Sequence, residues 1–334
     1  MTQDASPEEA LLSGSKIFIT GGAGFIGTHI AARLADRNEI VLFDNLHNCA
    51  YANTSLKSHP NLRLIEGDIR DLPALQRALE RDVEYVVHAA AIAGVDTVMA
   101  DPVRVLDVNV KGTFNIMEAA LNLPKLKKLV DFSTSEVYGV DADNVSETEI
   151  RPTLSVGEPR WTYAISKLVG EFIVHSHVRQ NALPAVTLRP FNIYGPNQVG
   201  VGALHHFVRR AIAGEDLIVH DEGSQIRAWC YIDDFVDGAL MAMTKEVATG
   251  RTYNIGNPRS TVTVHDLARM TIAMAGSRSG IIFRPRGHTD VALRIPDISA
   301  ARRDLGYEPA VELEEGLRRT IAWYRAQAPR SRNS

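Results

Sequence analysis

Cysteine is almost missing from this chain, with Cys49 and Cys230 the only two in 334 residues. They stand far apart and without metal-ligand spacing, so neither a disulfide framework nor a zinc site is supported, and a reducing compartment fits best. The histidines do not fill that gap. His29, His88, His205 and His206 lack partners at ligand spacing, and no metal is expected. Long apolar runs are missing too, and nothing approaches the about 20 residues that span a bilayer. The first fifteen residues carry Asp4, Glu8 and Glu9 and lack a basic start followed by a long apolar core, so a signal peptide is not expected. Charge of one sign is scarce. The net charge of −4 provides no general field for nucleic acid or an anionic membrane, so any anionic ligand must be held by local arginines. Together these absences point to a cytoplasmic protein without nucleic-acid or membrane partners.

What is present is the composition of an ordinary globular protein, 45% apolar and 23% charged, in a chain long enough to bury a large core. The chain is organised around a stretch near its start, where the apolar strand Lys16-Ile17-Phe18-Ile19-Thr20 runs into three spaced glycines. Gly21 permits a tight turn, Gly24 lets the backbone approach a pyrophosphate, and Gly27 lets the next helix sit close to the sheet. An amphipathic segment with Phe25, Ile26, Ile30 and Leu34 follows. A second apolar run, Ile40-Val41-Leu42-Phe43, ends on Asp44, where a carboxylate can accept both adenosine ribose hydroxyls. The same charge repels a 2′-phosphate, so NAD is favoured over NADP.

Strand and helix patterns alternate from there, which predicts a parallel sheet with crossover helices. Strands are expected at 62–65, 85–88, 128–132 and 186–189, and helices at about 71–80, 102–122 and 161–179. After Pro190 the texture changes, and helices at about 203–213, 233–245, 263–275 and 312–326 alternate with short strands. The expected domains are a disordered N-terminus over 1–15, a nucleotide-binding domain over 16–190, a smaller substrate domain over 191–327 and a flexible tail over 328–334. Helix 233–245 is expected to return to the first domain.

Tyr163 and Lys167, four apart on a helix, share one face. A free tyrosine titrates near ~10. A nearby ammonium and a positive nicotinamide ring both favour the phenolate, which makes Tyr163 a candidate base. Thr134, in Ser133-Thr134-Ser135-Glu136, falls where the fifth strand ends and ligands of open parallel sheets collect. Its hydroxyl can relay a substrate proton to Tyr163.

With these pieces the chain resembles the extended short-chain dehydrogenase/reductase family, and within it the NAD-dependent nucleotide-sugar epimerases, dehydratases and decarboxylases. The resemblance runs from about Lys16 to Tyr324. It rests on Thr20–Gly27, Asp44-Asn45, Gly67-Asp68-Ile69, His88–Ala91, Asn109, Ser133–Gly139, Tyr163–Lys167 and Arg189–Pro196. It implies a Rossmann-type doubly wound α/β fold with a smaller C-terminal α/β substrate-binding domain. It also implies NAD contacts from Gly21, Gly24, Phe25, Ile26, Gly27, Asp44, Asn45, Asp68, Ile69, Ala89, Ala90, Ala91, Asn109 and Pro190, together with Tyr163 and Lys167. Thr134, Tyr163 and Lys167 form the implied catalytic trio. Asn192, Arg227 and Arg294 fall where family members hold the nucleotide diphosphate, and arginine suits phosphate because its planar fork donates two hydrogen bonds.

The reaction depends on the neighbours of Tyr163. Dehydratases of the family carry Asp-Glu after the threonine, and Ser135-Glu136 lacks that acid. Thr134-Ser135-Glu136 resembles UDP-glucuronate decarboxylases, whereas Ala90–Val95 and Tyr163–Lys167 resemble the 4-epimerases. Arg189 is a candidate anchor for a uronate carboxylate, with an internal ion pair as the alternative. The preferred expectation is a 4-epimerase acting on UDP-glucuronate, with Glu136 turned from the sugar's C6 or hydrogen-bonded by neighbours. Decarboxylase is the runner-up, dTDP-glucose 4,6-dehydratase and a non-catalytic NAD-sensing protein the further alternatives. Pattern and resemblance together predict a homodimer through Leu106, Val110, Phe114, Leu168, Phe172 and Ile173.

Overall fold

The structure is a computed structural model and describes residues 6–150, 155–200, 202–287 and 290–327. Seven parallel strands form the main sheet, β1 (Lys16–Thr20), β2 (Glu39–Asp44), β3 (Leu62–Glu66), β4 (Tyr85–His88), β5 (Lys128–Phe132), β6 (Ala185–Pro190) and β7 (Thr252–Ile255), in the order β7-β6-β5-β4-β1-β2-β3. Most of these strands read as unbroken apolar runs because helices cover both faces of the sheet. Ile17, Leu42, Val87, Val130 and Val186 enter one core, while Phe18, Val41, Val86, Leu129 and Ala185 enter the other. Successive strand side chains point to opposite faces, which divides the run between two layers.

One layer holds α2 (Phe25–Leu34) and α6 (Ile232–Thr244), and the other holds α3 (Leu72–Ala78), α4 (Gly112–Ala120) and α5 (Thr162–Asn181). A second sheet, in the order 261–263, 226–228, 293–296 and 141–145, lies in the other lobe. The chain passes between the lobes more than once, so a single cut near 190 does not divide it. Strand 141–145 precedes the cut yet pairs with 293–296, and β7 follows the cut yet completes the main sheet beside β6.

The N-terminal expectation needs correction. Residues 7–12 form a helix, α1 (Pro7–Leu12), with a capping box between Ser6 and Glu9, and Leu12 is fully buried. The Ser6 hydroxyl and the Glu9 carboxylate each satisfy a backbone N–H at the helix start, and Arg33 then binds Glu9 at 2.6 Å. The tail over 328–334 lies outside the described residues. Among the described residues no helix is long and apolar enough to cross a membrane.

The expected helix over 102–122 is broken by a wider π turn at Asp107–Lys111. Of the residues named for pairing, Phe172 (69%), Phe114 (51%) and Leu106 (40%) are exposed. Ile173 belongs to the core and Val110 is partly buried against it, while Leu168 is partly buried against a separate cluster of Val137, Tyr138, Ala142 and Phe191. Val103, which the pattern did not single out, adds 74% exposure to the same face.

Candidate active site

The strand order reverses between β1 and β4, and the glycine loop sits at that crevice. Gly21 has φ of +66°, and a Cβ there would lie 2.6 Å from the backbone nitrogen of Ala90. It therefore serves both the turn and the close approach of the loop Ala89–Ala91 after β4. A Cβ on Gly27 would lie 2.5 Å from the Gly21 carbonyl oxygen, so this glycine brings α2 onto the turn. Gly24 begins α2 with no side-chain cap, and the first turn carries no acidic residue. Unclaimed N–H groups at a helix start suit an anion such as a pyrophosphate.

Asp44 closes this cradle. Its carboxylate accepts from the Ala23 N–H at 3.0 Å and the Leu46 N–H at 2.7 Å. Burial raises its pKa, opposed by these backbone donors. Asn45 beside it is exposed, while Phe25 and Ile26 are half-buried on the first turn of α2. Asp68 is paired with Arg70 at 2.7 Å, Ile69 is buried, and Pro190 ends β6. This set fits NAD. Asn109 sits under the loop after β4. Its amide donates to the Ile92 carbonyl and the Ser166 hydroxyl, both at 3.0 Å, and accepts from the Ile92 N–H at 2.8 Å. Both ends of the side chain are engaged, so it fixes the loop after β4 against α5.

Thr134 stands just past β5, caps the turn Ser135–Tyr138 by accepting from the Glu136 N–H at 3.2 Å, and its hydroxyl acts on the Tyr163 phenol. Burial pushes Tyr163 up to about 12, with the Thr134 hydroxyl pulling the other way. Burial lowers Lys167, and the charges of Asp131 and Glu171 oppose that. A phenol so placed stays protonated until positive charge arrives nearby.

Glu136 is clamped. It takes Arg160 at 2.7 Å and Arg294 at 2.6 Å. Burial drives its carboxyl up, but the two guanidinium groups outweigh that and hold it at about 2. Both the Glu136 and Arg294 charges act on Tyr163. Arg160 was missed from sequence. Its signal was its place three residues before Tyr163, one helical turn away. Arg160 and Arg294 each keep a buried Nε–H with no hydrogen-bond partner among the described residues.

Arg227 and Arg294 lie on neighbouring strands of the second sheet, and Asn192 donates to the Ala228 carbonyl at 2.8 Å beside them. Ser135 is buried. Arg189 does not join this group. It is 2% exposed and grips Glu171 through two bonds of 2.8 and 2.7 Å, with further bonds to the Tyr138 hydroxyl and the Glu147 carbonyl. The internal ion pair accounts for its position, with four of its five N–H donors engaged inside the protein.

The sequence profile described as the NAD dependent epimerase/dehydratase family matches residues 17–256. A UDP-N-acetyl-alpha-D-glucosaminuronate decarboxylase of Bacillus cytotoxicus is 32% identical over 93% of this chain and 98% of its own length. UDP-glucuronate 4-epimerase 2 of Arabidopsis thaliana is also 32% identical, over 93% of this chain and 76% of its own. Among solved structures, UDP-glucuronic acid 4-epimerase from Bacillus cereus, in complex with UDP-glucuronic acid and NAD, superposes with a TM-score of 0.84 at 30% identity, covering 93% of this chain and 99% of that one. The glycine cradle, the Thr134–Tyr163–Lys167 group and these likenesses agree, and the chain belongs to the NAD-dependent epimerase/dehydratase family as a nucleotide-sugar enzyme of the epimerase type.

Proposed function

We propose that the chain is a UDP-glucuronate 4-epimerase. The observation that carries this reading is the Arg160–Glu136–Arg294 clamp beside Tyr163. Two guanidinium groups against one carboxylate leave a net charge of +1, which attracts a uronate. The buried Nε–H groups of the two arginines are donors of the kind that holds a carboxylate. NAD held by the glycine cradle and Asp44 would supply reversible hydride chemistry at C4 of the sugar. Tyr163, with the Thr134 hydroxyl acting on it, would take and give back the 4-hydroxyl proton, and Lys167 favours the phenolate through its charge. Arg227 and Asn192 would hold the diphosphate while the sugar turns.

The 4-keto intermediate is a β-keto acid, so an epimerase must keep its carboxyl group. A cation beside a carboxylate stabilises the anion relative to neutral carbon dioxide and holds it in one orientation, and misplacement by about 1 Å changes rates on the order of 10²-fold. The net positive clamp therefore favours retention. A decarboxylase is the second reading, supported by Thr134-Ser135-Glu136 and by an ionised Glu136 close to Tyr163. Incubation with UDP-glucuronate separates the two by chromatography and mass. UDP-galacturonate of unchanged mass is expected, whereas stoichiometric carbon dioxide with a UDP-pentose would make the enzyme a decarboxylase. We also propose a cytoplasmic homodimer paired through the exposed face of Leu106, Phe114 and Phe172.

A further inference from the structure

β5 begins on Lys128 and carries a second charge, Asp131, near its end. Asp131 lies between Val130 and Phe132, is 1% exposed, and shares the face of Leu129, toward α4 and α5. Parallel pairing places His88 on one side of it and Thr187 on the other. Its Oδ1 is buried and accepts no hydrogen bond among the described residues.

Most charged or titratable groups facing Asp131 are already engaged. On β4, His88 holds the Thr20 hydroxyl at 2.8 Å and the Thr113 hydroxyl of α4 at 3.2 Å. Burial, helped by the charge of Lys167, pushes His88 down to about 3, so it is neutral. On β6, Arg189 is committed to Glu171. Glu171 of α5 accepts both from Arg189 and from the Ser133 hydroxyl. Lys167 and Tyr163, also of α5, remain. Lys167 is 4% exposed and has no ion pair within 4 Å among the described residues.

We propose that Asp131 is a positioning residue for the Tyr163–Lys167 pair, its buried carboxylate being the counter-charge that keeps Lys167 an ammonium ion. A buried lysine without counter-charge gives up its proton. Asp131 and Glu171 against Lys167 and Arg189 make a neutral cluster when all four are charged. With Asp131 neutral the cluster carries an excess positive charge in a low-dielectric layer. The Lys167 pKa then falls, which shortens the pH range over which it is an ammonium ion, because Arg189 does not readily release a proton. Burial pushes the Asp131 carboxyl up to about 6 against the pull of Lys167. The counter-charge is therefore present at neutral pH and weakens below it. This inference rests on Tyr163 as the base of the proposed reaction.

Asp131→Asn removes the charge with little change of size, and if that chain does not fold Asp131→Ser takes its place. Losing a nearby negative charge lowers the pKa of Lys167 and Tyr163 alike, so both limbs of the kcat–pH profile move to lower pH by about one unit. The titration of Tyr163 is read without any sugar, as the tyrosinate absorbance of NAD-loaded enzyme minus that of the Tyr163→Phe variant. Its midpoint falls in the charge-free variant and returns to the wild-type value in Asp131→Glu, even where turnover is reduced. An unchanged midpoint and unchanged limbs in an Asp131→Asn enzyme that binds NAD overturn the proposal, as does an Asp131→Glu enzyme shifted equally far. Full activity in Tyr163→Phe would instead overturn the base assignment, so the two failures are distinct.

Discussion

Arg227 and Arg294 stand directly beside one another in register on adjacent parallel strands, an arrangement of like charges inside a folded protein. Burial and the neighbouring Arg294 push Arg227 down to about 10. Such a pair is relieved by an anion, and a diphosphate supplies two charges. Arg227→Ala is expected to weaken nucleotide-sugar binding by about 1.5–3 kcal/mol, the range of a charged hydrogen bond. That loss appears as a rise in KM for UDP-glucuronate with NAD affinity unchanged. A KM equal to wild type would place the diphosphate elsewhere.

Arg189→Ala distinguishes an internal ion pair from a substrate anchor. Removing one partner leaves Glu171 buried and unpaired, which costs about 3–5 kcal/mol. A large drop in Tm is expected, visible in calorimetry. A substrate role would instead raise KM for UDP-glucuronate and spare the Tm.

Glu136→Gln removes a negative charge near Tyr163 and leaves Arg160 and Arg294 uncompensated. Both changes favour the phenolate, so the Tyr163 pKa falls and the acid limb of kcat moves to lower pH, by about one unit or more. A pH profile of the variant checks this, and a limb displaced upward would contradict the charge assignment.

Asp44→Ala should weaken NAD binding by on the order of tenfold, through loss of charge-assisted bonds to the ribose. The carboxylate also holds the Ala23 and Leu46 amides, so a modest fall in Tm accompanies it. Titration calorimetry with NAD is the measurement. Unaltered affinity would confine Asp44 to the turn.

Phe172→Asp places a charge in the middle of the exposed apolar face and is expected to yield monomers at micromolar protein in light scattering. A wild-type chain that is already monomeric under those conditions would dispose of the pairing.

The legible part of the fold was the part with apolar period or glycine spacing. Strands β1 to β6 carry runs such as Ile40–Phe43 and Val186–Leu188, largely buried on both faces except in the edge strand β3. β7 was not legible because Thr252-Tyr253-Asn254-Ile255 is short and half polar, and its partner is chosen by tertiary contact. α1 was overlooked although Ser6 and Glu9 have capping-box spacing, because six residues offer too little amphipathic pattern. In the site, Tyr163, Lys167 and Thr134 announced themselves through spacing. Arg160 did not, since an arginine preceding a helix is ordinarily a surface charge, and only folding brings it to Glu136. Asp131 stands between Val130 and Phe132 in a fully buried strand, a carboxylate out of place in the pattern and so legible as a signal.

The return of α6 and β7 to the main sheet also orders events during synthesis. The open edge of β6 cannot be paired until residues 252–255 have left the ribosome, after most of the second lobe has been made. Until then an apolar strand edge is exposed, and such edges are sites of misassembly. The nascent chain is therefore most vulnerable between residues 190 and 252, where the interval before β7 arrives is the natural point of chaperone engagement.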